Sequence, residues 1–225
     1  MLQEYIVQFE EIKESLEECM IQTAYMVSIS VVISIIGGIL LGLLLYLTSE
    51  KLFTYNVVLY QISSVIVNII SSIPFLILMI FLLPLSALIV GTKIGSTAVI
   101  VPLAIAGIAF LARLVEGSLS EIDTGIIEAA ISTGATRLYI VRKVILPEAL
   151  PGIVRGITVT TVTLLGFSSM AGLIGGGGIG DLAYRYGFQR YNTEVMVICI
   201  LILILLVQIL QLLGNFIAKK VNHSQ

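Results

Sequence analysis

Long runs of apolar residues constrain this chain more than any other feature of its sequence. Five such runs follow one another: Ile21–Leu47, Val57–Leu83, Ser96–Leu114, Gly152–Ile174 and Val195–Ile217. A helix that crosses the hydrocarbon core of a bilayer needs about 20 mainly apolar residues, and each run meets that length. Because lipid offers the backbone no hydrogen-bonding partner, an isolated spanning segment has to be helical. The sequence therefore predicts an all-α integral membrane protein with five transmembrane helices.

The amino-acid composition favours a membrane environment and argues against a nucleic-acid partner. Of the 225 residues, 58% are hydrophobic and 12% are charged, whereas a soluble domain is about 25% charged. The mean hydropathy is +1.09. The formal net charge of −2 and the lack of a dense basic cluster are untypical of a nucleic-acid-binding chain. We expect residues 1–225 to form a single transmembrane domain in the bilayer.

The segment before the first run, residues 1–20, has a helical pattern of its own. Apolar residues recur at spacings of four, three and four, and glutamates occupy the opposite face. The apolar positions are Tyr5, Phe9, Ile12 and Leu16. This pattern predicts an amphipathic helix that lies at the membrane surface or covers another span. The early glutamates and the long apolar run that follows are unlike a cleavable signal peptide.

Basic residues are distributed unevenly among the connections. Arg137, Arg142 and Lys143 lie between the third and fourth runs, and Lys219 and Lys220 lie near the C-terminus. Basic residues accumulate in short cytoplasmic loops, so we expect that connection and the C-terminus to be cytoplasmic and the N-terminus to be outside. Two arginines in the last outer connection weaken the bias without reversing it.

The longest polar interruption, residues 118–150, predicts a folded loop of two short helices. Helix-start signals occur at Ser118 with Glu121, which have capping-box spacing, and again at Asp123. The stretch that follows, Ile126–Thr133, has the composition of a short helix.

A second short helix is predicted directly after the first. Gly134 can end the first helix in a left-handed conformation, and Thr136 can cap a second one over Arg137–Leu146. Pro147 is expected to end that second helix. Its predicted apolar face consists of Leu138, Val141 and Ile145.

This loop resembles a known family at several fixed positions. Glu128-Ala129-Ala130, then Gly134, then Val144 and finally Leu146-Pro147 match the EAA motif of ABC importer permeases. In that family the pattern is Glu-Ala-Ala, three residues, Gly, nine residues, Ile, one residue, Leu-Pro. The single departure is Val144 at the isoleucine position, which keeps a β-branched apolar side chain.

The resemblance implies a role for each matched residue in docking to a cytoplasmic ATPase subunit. The first short helix would be the coupling helix that enters a cleft of that subunit. Glu128 would make polar contacts, while Ala129 and Ala130 would permit close approach. Gly134 would supply the turn, and Val144 with Leu146-Pro147 would anchor the return to the membrane. Without the resemblance, a helix pair that merely connects two spans explains the pattern equally well.

The resemblance extends from about residue 71 to residue 196 and is similar to the methionine-uptake branch of these permeases. The further matching stretches are Ser72-Ile73-Pro74-Phe75, Val90–Gly95, Ile100–Leu103, Ala112–Glu116, Leu146–Pro151, Gly175–Gly180, Tyr186-Gly187 and Tyr191. Two places depart from that branch. Ala109 stands where a proline is expected, and Phe167-Ser168-Ser169-Met170 replaces a usual Tyr-Ser-Ala-Met.

The resemblance also implies an assembly and a substrate. Two copies of this chain would pair with two cytoplasmic ABC ATPase subunits in a bacterial cytoplasmic membrane, and an extracellular or periplasmic binding protein would deliver the substrate. The substrate would be L-methionine, with D-methionine as a further candidate. An alternative is another small solute, such as another amino acid, a dipeptide, an osmolyte or a phosphonate. ATP and Mg²⁺ would bind the ATPase subunit, and this chain would hold no cofactor and catalyse no reaction.

Within the fourth run, Ser168, Ser169 and Met170 form a polar patch followed by an adaptable side chain. They are candidates for the translocation path or its gate, although ordinary helix packing is an equal alternative. Arg113 and Arg155 lie near predicted membrane ends, where snorkelling to the interface is preferred over a functional role. The spacing of Arg113 and Glu116 also allows a local ion pair.

Other classes of function fit the sequence less well. An intramembrane enzyme needs paired acids, a Ser/Lys pair or histidine ligands within its spans, and the single histidine and two cysteines offer no metal-ligand spacing. The glycines of Gly175–Gly180 match a dinucleotide-binding pattern, but an apolar span precedes them instead of a strand. A passive channel or an assembly factor would leave the EAA motif unexplained.

Overall fold

The computed structural model describes residues 2–49 and 56–221, with side chains from Lys13 onward. Its α-helices are α1 (Leu2–Thr48), α2 (Val57–Ser72), α3 (Phe75–Val90), α4 (Ser96–Ser120), α5 (Thr124–Ser132), α6 (Arg137–Ile140), α7 (Leu146–Ala171), α8 (Ile179–Leu182) and α9 (Thr193–Val221). Two π-helical turns, Val141–Ile145 and Ala183–Phe188, and a 3₁₀ turn, Gly172–Ile174, complete the helical structure. The described residues contain no strand, so the predicted all-α class is confirmed.

Four stretches of helix are long and apolar enough to cross a bilayer. They are Lys13–Thr48, Ser96–Ser120, Arg137–Ile174 and Thr193–Val221. The remaining predicted run, Val57–Leu83, is not one helix. It forms α2 and α3, which are bent by 111° at a short break, and the number of spans reaches five only if this pair counts as one.

Pro74 explains the break in the second run. It stands at the N-cap position of α3, where the missing N–H costs little, whereas inside a continuous helix it would remove a hydrogen bond and clash with the preceding turn. The hydroxyl of Ser72 donates to the carbonyl of Asn68 at 2.7 Å. This is a local side-chain to backbone bond within the last turn of α2, one turn before the carbonyls that the helix end leaves without an amide partner.

The first helix is longer than the first apolar run. α1 continues without interruption over 47 residues, which corresponds to about 70 Å of helix. Residues 2–20 therefore belong to the same helix as the first span. The side chains of Tyr5, Phe9 and Ile12 lie outside the described residues, so the amphipathic character of this segment stays a prediction. Leu16 packs against a buried cluster that includes Cys19.

The described residues form two compact units. The first is drawn from Met1–Val32, Ile73–Ile105 and Thr161–Leu210. Its core contains Cys19 of α1 and Cys199 of α9, which are both buried as free thiols. Ile179, Leu182 and Val195 complete that cluster.

The second unit is drawn from Ile33–Ser72, Ala106–Thr160 and Gln211–Gln225. One cluster of this unit contains Tyr46, Leu111, Val115, Leu119, Ile122, Ile127, Ile140, Ile145, Ala149 and Ile153. We call this set the inner cluster. It joins α1, α4 and α7 to the two short helices α5 and α6.

Small residues let these helices approach closely. A Cβ atom added to Gly38 would lie 2.7 Å from the Leu111 side chain, and one added to Gly42 would lie 2.7 Å from the carbonyl oxygen of Ala112. A Cβ on Gly152 would meet the Ser118 hydroxyl at 2.8 Å. The glycine pairs therefore act in helix packing, as small-xxx-small patterns in membranes usually do.

Candidate functional site

The first short helix of the connection begins and ends where local sequence chemistry predicts. Asp123 is the N-cap residue of α5, and its carboxylate accepts a hydrogen bond from the Gly125 amide at 2.8 Å. Gly134 follows the helix with φ of 75°, the left-handed conformation expected of it. The capping box expected at Ser118 does not form, because α4 continues to Ser120 and the Ser118 hydroxyl donates to the carbonyl of Leu114 at 2.9 Å.

The second short helix differs from the prediction at its end. Thr136 occupies the N-cap position of α6 without a capping hydrogen bond from its side chain. Pro147 does not end the helix, which passes through the π-helical turn Val141–Ile145 directly into α7. The Leu146 amide donates to the carbonyl of Val141, so the extra residue of the π turn places Pro147 in the first turn of α7. The helix is continuous here, so Pro147 withholds one backbone donor from it without ending it.

Buried isoleucines fix α5 and α6 to the membrane-spanning helices. Ile127 of α5, Ile140 of α6 and Ile145 of the π turn all enter the inner cluster. Ala130, Val144 and Leu146 are partly buried against the same cluster. The EAA-motif residues Val144 and Leu146 therefore pack against the inner cluster and help to hold the connection in place. Pro147 is exposed.

The exposed side chains of these two helices include several apolar ones, and we call this exposed set the docking face. It consists of Ile126, Glu128, Ala129, Ile131, Leu138 and Tyr139, all of them exposed. Leu138 and Tyr139 expose 66% and 57% of their surface. Exposed apolar surface of this kind marks a contact with another protein or with a membrane.

Only part of the docking face is predictable from the sequence. The pattern predicts Leu138 on one apolar face with Val141 and Ile145, whereas Leu138 is exposed and α6 buries Ile140 instead. Ile131 and Tyr139 were not singled out. One sequence feature could have predicted the exposed isoleucines. α5 carries isoleucines on more than one side, and a short helix that packs on one side leaves the others exposed.

A cavity of about 360 Å³ lies beside the start of α5. Three carboxylates line it, those of Glu121, Asp123 and Glu148, together with the guanidinium of Arg155. In the part of the chain that the structure describes, no three His, Cys, Asp or Glu side chains are grouped to hold a metal ion.

The three candidate residues of the translocation path lie at the end of α7 in different environments. Ser168 is buried, and its hydroxyl donates to the Leu165 carbonyl at 2.7 Å. Ser169 is half-buried and donates to the same carbonyl at 3.3 Å. Met170 exposes 46% of its surface. Only Met170 therefore offers a largely exposed side chain.

An aromatic pair beside these residues was missed by the sequence analysis. The rings of Phe75 and Phe167 stack with centroids 4.3 Å apart and an interplanar angle of 1°. Phe167 is the first residue of the stretch that departs from the methionine-uptake branch. The stack joins α3 to α7 within the first unit.

The glycine-rich segment after α7 is a folded turn that packs on α1. Gly175, Gly177 and Gly178 have φ angles between 72° and 83°. The Gly178 amide donates to Oε1 of Gln22 at 2.8 Å, and the Ile179 amide donates to Oγ1 of Thr23 at 2.9 Å. A helix precedes this segment, so a dinucleotide-binding turn is excluded here.

Charged residues next to this segment form a second cavity of about 350 Å³, lined among others by Glu18, Gln22 and Tyr186. Asp181 and Arg185 form an ion pair across it at 2.5 Å. The hydrogen bond that Arg185 donates to the Asp181 carboxylate raises the pKa of the guanidinium, so this arginine keeps its charge.

Arg113 in α4 makes the ion pair that its spacing predicts, with Glu116 at 2.6 Å. It also donates to the Ser64 carbonyl at 3.0 Å and to the Asn68 side chain at 2.6 Å. The guanidinium therefore connects α4 to α2 within the second unit. These bonds hold the arginine against protein groups.

Comparison with known proteins places this architecture among solute importers. Residues 34–223 match the family described as binding-protein-dependent transport system inner membrane component. The probable D-methionine transport system permease protein MetI of Vibrio cholerae is 50% identical over 202 residues, which cover 90% of each chain. The methionine import system permease protein MetP of Bacillus subtilis is 42% identical over 178 residues, covering 79% of this chain and 80% of that protein.

Solved structures agree with these sequence relatives. A permease chain from inward-facing conformations of the MetNI methionine ABC transporter superposes with a TM-score of 0.92 and 43% identity, covering 95% of this chain and 99% of that one. An amino acid ABC transporter crystallised with histidines superposes with a TM-score of 0.77 at 22% identity, and this likeness concerns the fold alone.

Proposed function

The chain belongs to the family of binding-protein-dependent transport system inner membrane components, and we propose that it is the permease subunit of an ABC importer for methionine. As a member of that family it is a multi-pass membrane protein and a transporter component, not an enzyme. The observation that carries the proposal is the docking face. Its residues lie on α5 and α6, two short helices that Ile127 and Ile140 anchor in the core of the second unit.

The substrate proposal is supported by the relatives named for methionine transport in Vibrio cholerae and Bacillus subtilis. L-methionine is the first candidate, and D-methionine is the second because the Vibrio cholerae relative is named for that enantiomer. A different small solute is the alternative. Competition of unlabelled amino acids and dipeptides against methionine uptake separates these possibilities.

The proposed assembly contains two copies of this chain, two cytoplasmic ATPase subunits and an external binding protein. The solved MetNI transporter, named as an ABC transporter, supports the ATPase partner. ATP and Mg²⁺ bind those ATPase subunits in this proposal, and this chain holds no cofactor.

The inner cluster suggests how movement of the ATPase reaches the membrane. Ile127 and Ile140 pack against α4 residues such as Leu119 and α7 residues such as Ile153. A densely packed apolar contact transmits displacement because its side chains cannot be compressed. When ATP binding moves the docking face, α4 and α7 move with it. This is the rigid-body form of alternating access, in which the path opens outward and hydrolysis resets it inward.

The orientation that follows from this proposal has the docking face and the C-terminus in the cytoplasm and the N-terminus outside. The basic residues of the α5–α7 region and of the last turn of α9 support that orientation. Within the first unit, Ser168, Ser169 and Met170 remain the proposed path or gate residues. Met170 is the strongest of the three because its flexible side chain is exposed.

The test is co-purification of the permease with its ATPase subunit from the same operon or genome, with three variants compared to the wild type. Glu128→Arg reverses a charge on the docking face, and Gly134→Val places a β-branched residue at a positive φ angle. Glu194→Arg is the matched control, because Glu194 is an exposed acid in the first turn of α9. We expect both docking variants to lose the ATPase subunit and the control to retain it.

The second half of the test is methionine-stimulated ATP hydrolysis in liposomes that contain the binding protein. Stimulation by methionine supports both the class and the substrate. If the ATPase subunit associates but methionine does not stimulate hydrolysis, the assignment as a permease stands and the proposed substrate is wrong. If the wild type binds no ATPase subunit at all, the proposed function is wrong.

A further inference from the structure

A groove between α7 and the end of α9 has no role in the proposed coupling mechanism. It has a volume of about 640 Å³ and is lined by Arg155 of α7 and by Leu212, Asn215, Phe216, Ala218 and Lys219 of α9. We call it the α7–α9 groove. It belongs entirely to the second unit.

The two basic residues of the groove lie at a similar height along the helix axes, measured from the point where α7 and α9 meet. α7 and α9 meet where Gly214 packs directly on the Thr158 side chain. Arg155 lies three residues before Thr158, and Lys219 lies five residues after Gly214. The rise of an α-helix places them about 4.5 Å and about 7.5 Å from that contact. Because both line one groove, both lie on the same side of the contact, toward the C-terminal end of α9.

One face of α9 supplies the apolar wall and the polar groups in alternation. Leu212, Asn215, Phe216 and Lys219 have the spacing of one helical face. Phe216 exposes 66% of its surface, and Leu212 is equally exposed. This face therefore runs from apolar residues deeper in the span to a lysine in the last turn of the helix.

The polar groups of the groove have no partners among the described residues. Arg155, Asn215 and Lys219 make no ion pair and no side-chain hydrogen bond there. This contrasts with Arg113, whose guanidinium is bound by α2 and by Glu116. Arginine, asparagine and lysine side chains thus line one cavity, and each has a free hydrogen-bond donor. Arg155 also borders the cavity beside α5, which Glu121, Asp123 and Glu148 line.

We propose that the α7–α9 groove binds an anionic phospholipid of the cytoplasmic leaflet. The lipid phosphate accepts hydrogen bonds from Arg155, Lys219 and Asn215, and arginine suits phosphate oxygens because it donates two parallel bonds. An acyl chain lies along Leu212 and Phe216 toward the bilayer interior. Basic pockets between membrane helices on the cytoplasmic side are suited to anionic headgroups. The inference rests on the proposed function in one respect, because the orientation proposed there places this end of α9 at the cytoplasmic surface.

The test uses the permease purified with its ATPase subunit and stripped of lipid, then titrated with phosphatidylglycerol or phosphatidylcholine and examined by native mass spectrometry. We expect phosphatidylglycerol to bind and phosphatidylcholine to bind far more weakly. Each of Arg155→Gln and Lys219→Gln should weaken phosphatidylglycerol binding about fivefold, and the double variant about thirtyfold. Phe216→Ala should weaken it about threefold, because part of the contact with the acyl chain is lost.

Lys220→Gln is the matched control. It removes the same charge from the same helical turn, and Lys220 does not line the groove. Equal losses for Lys220→Gln and Lys219→Gln would overturn the proposal, because general surface charge would explain the binding. Equal binding of the two lipids would also overturn it. Displacement of the lipid by inorganic phosphate, together with no effect of Phe216→Ala, would assign the groove to free phosphate instead.

The same samples separate this inference from the proposed function. If the ATPase subunit is present and the lipid does not bind, only the lipid site fails. If the lipid binds and no ATPase subunit is present, only the coupling proposal fails. A change of subunit stoichiometry in the groove variants would show that a protein chain occupies the groove, and the lipid proposal would then be wrong.

Discussion

The α4–α7 connection and the glycine-rich segment after α7 are both short excursions between long helices, but different forces hold them in place. The connection is held by side chains, because Ile127, Ile140 and Ile145 bury themselves in the inner cluster. The glycine-rich segment is held by backbone groups, because its amides bind Gln22 and Thr23 and its glycines allow close backbone packing.

This difference determines what each region tolerates. Substituting smaller buried side chains can weaken a side-chain anchor in steps. The exposed residues of the same helices can be substituted without disturbing that anchor. A backbone contact without room for a Cβ atom cannot be weakened in steps, because any side chain displaces the neighbouring chain. We therefore expect the glycine-rich segment to tolerate few substitutions. The docking face should tolerate substitutions that match its partner's surface.

The largest effect is expected for Gly180→Val. A Cβ at this position would overlap the backbone of Ser169. Ordinary overpacking costs about 1–3 kcal/mol, and a clash with main chain that cannot rotate away costs more. We expect little monodisperse protein after detergent extraction, as measured by size-exclusion chromatography. Gly166→Val on α7 is the control, since nothing lies within 4 Å of its Cβ position. A well-behaved Gly180→Val protein would refute the backbone contact.

The next effect is expected for Ile140→Ala. Ile140 exposes 1% of its surface in the inner cluster, and removing a buried isoleucine side chain to the Cβ costs about 2–5 kcal/mol. The loss should be local, so that proteases cut between α4 and α7 while the rest of the chain stays protected. Limited proteolysis with mass mapping measures this. Tyr139→Ala at the neighbouring exposed position should leave the cleavage pattern unchanged.

A smaller effect is expected for Gly134→Ala. The φ of 75° costs a residue with a side chain about 1–2 kcal/mol, while no neighbour lies within 4 Å of the added Cβ. Thermal unfolding should shift modestly, and Gly134→Asn should recover part of the loss because asparagine adopts this conformation more readily. Equal stability of the alanine and asparagine variants would show that backbone conformation is not the constraint.

The smallest effect on stability is expected for Leu138→Ser combined with Tyr139→Ser. Both residues are exposed, so stability should change by about 0.5 kcal/mol or less. Affinity for the ATPase subunit should nevertheless fall at least tenfold, because two apolar contacts of the docking face are lost. Melting temperature and a binding titration on the same protein measure the two effects. A large loss of stability would place these residues in a core instead.

Sequence reasoning succeeded where the determining chemistry is local. The Asp123 cap and the Gly134 turn depend on a few neighbouring residues, and both were predicted. The helix continues past Pro147 after the π turn Val141–Ile145, and no residue type in the sequence predicts a π turn at this place. The burial of Ile140 in place of Leu138 depends on α4 and α7, which lie far away in the sequence. The EAA motif identified the connection, but its pattern alone does not distinguish supports such as Val144 from exposed residues such as Ala129.

The hydrogen bonds from Gly178 and Ile179 to Gln22 and Thr23 join residues that are 156 positions apart. A ribosome that adds about 5–20 residues per second needs about 8–30 s to make that intervening stretch. The first helix therefore enters the bilayer well before its acceptor groups meet their donors. During this interval Nε2 of Gln22 can already donate to Oε1 of Glu18, one turn away at 2.9 Å, whereas Oε1 of Gln22 gains its Gly178 donor only later. Biogenesis of this protein thus has a late step, the closure of its last-made turn onto its first-made helix.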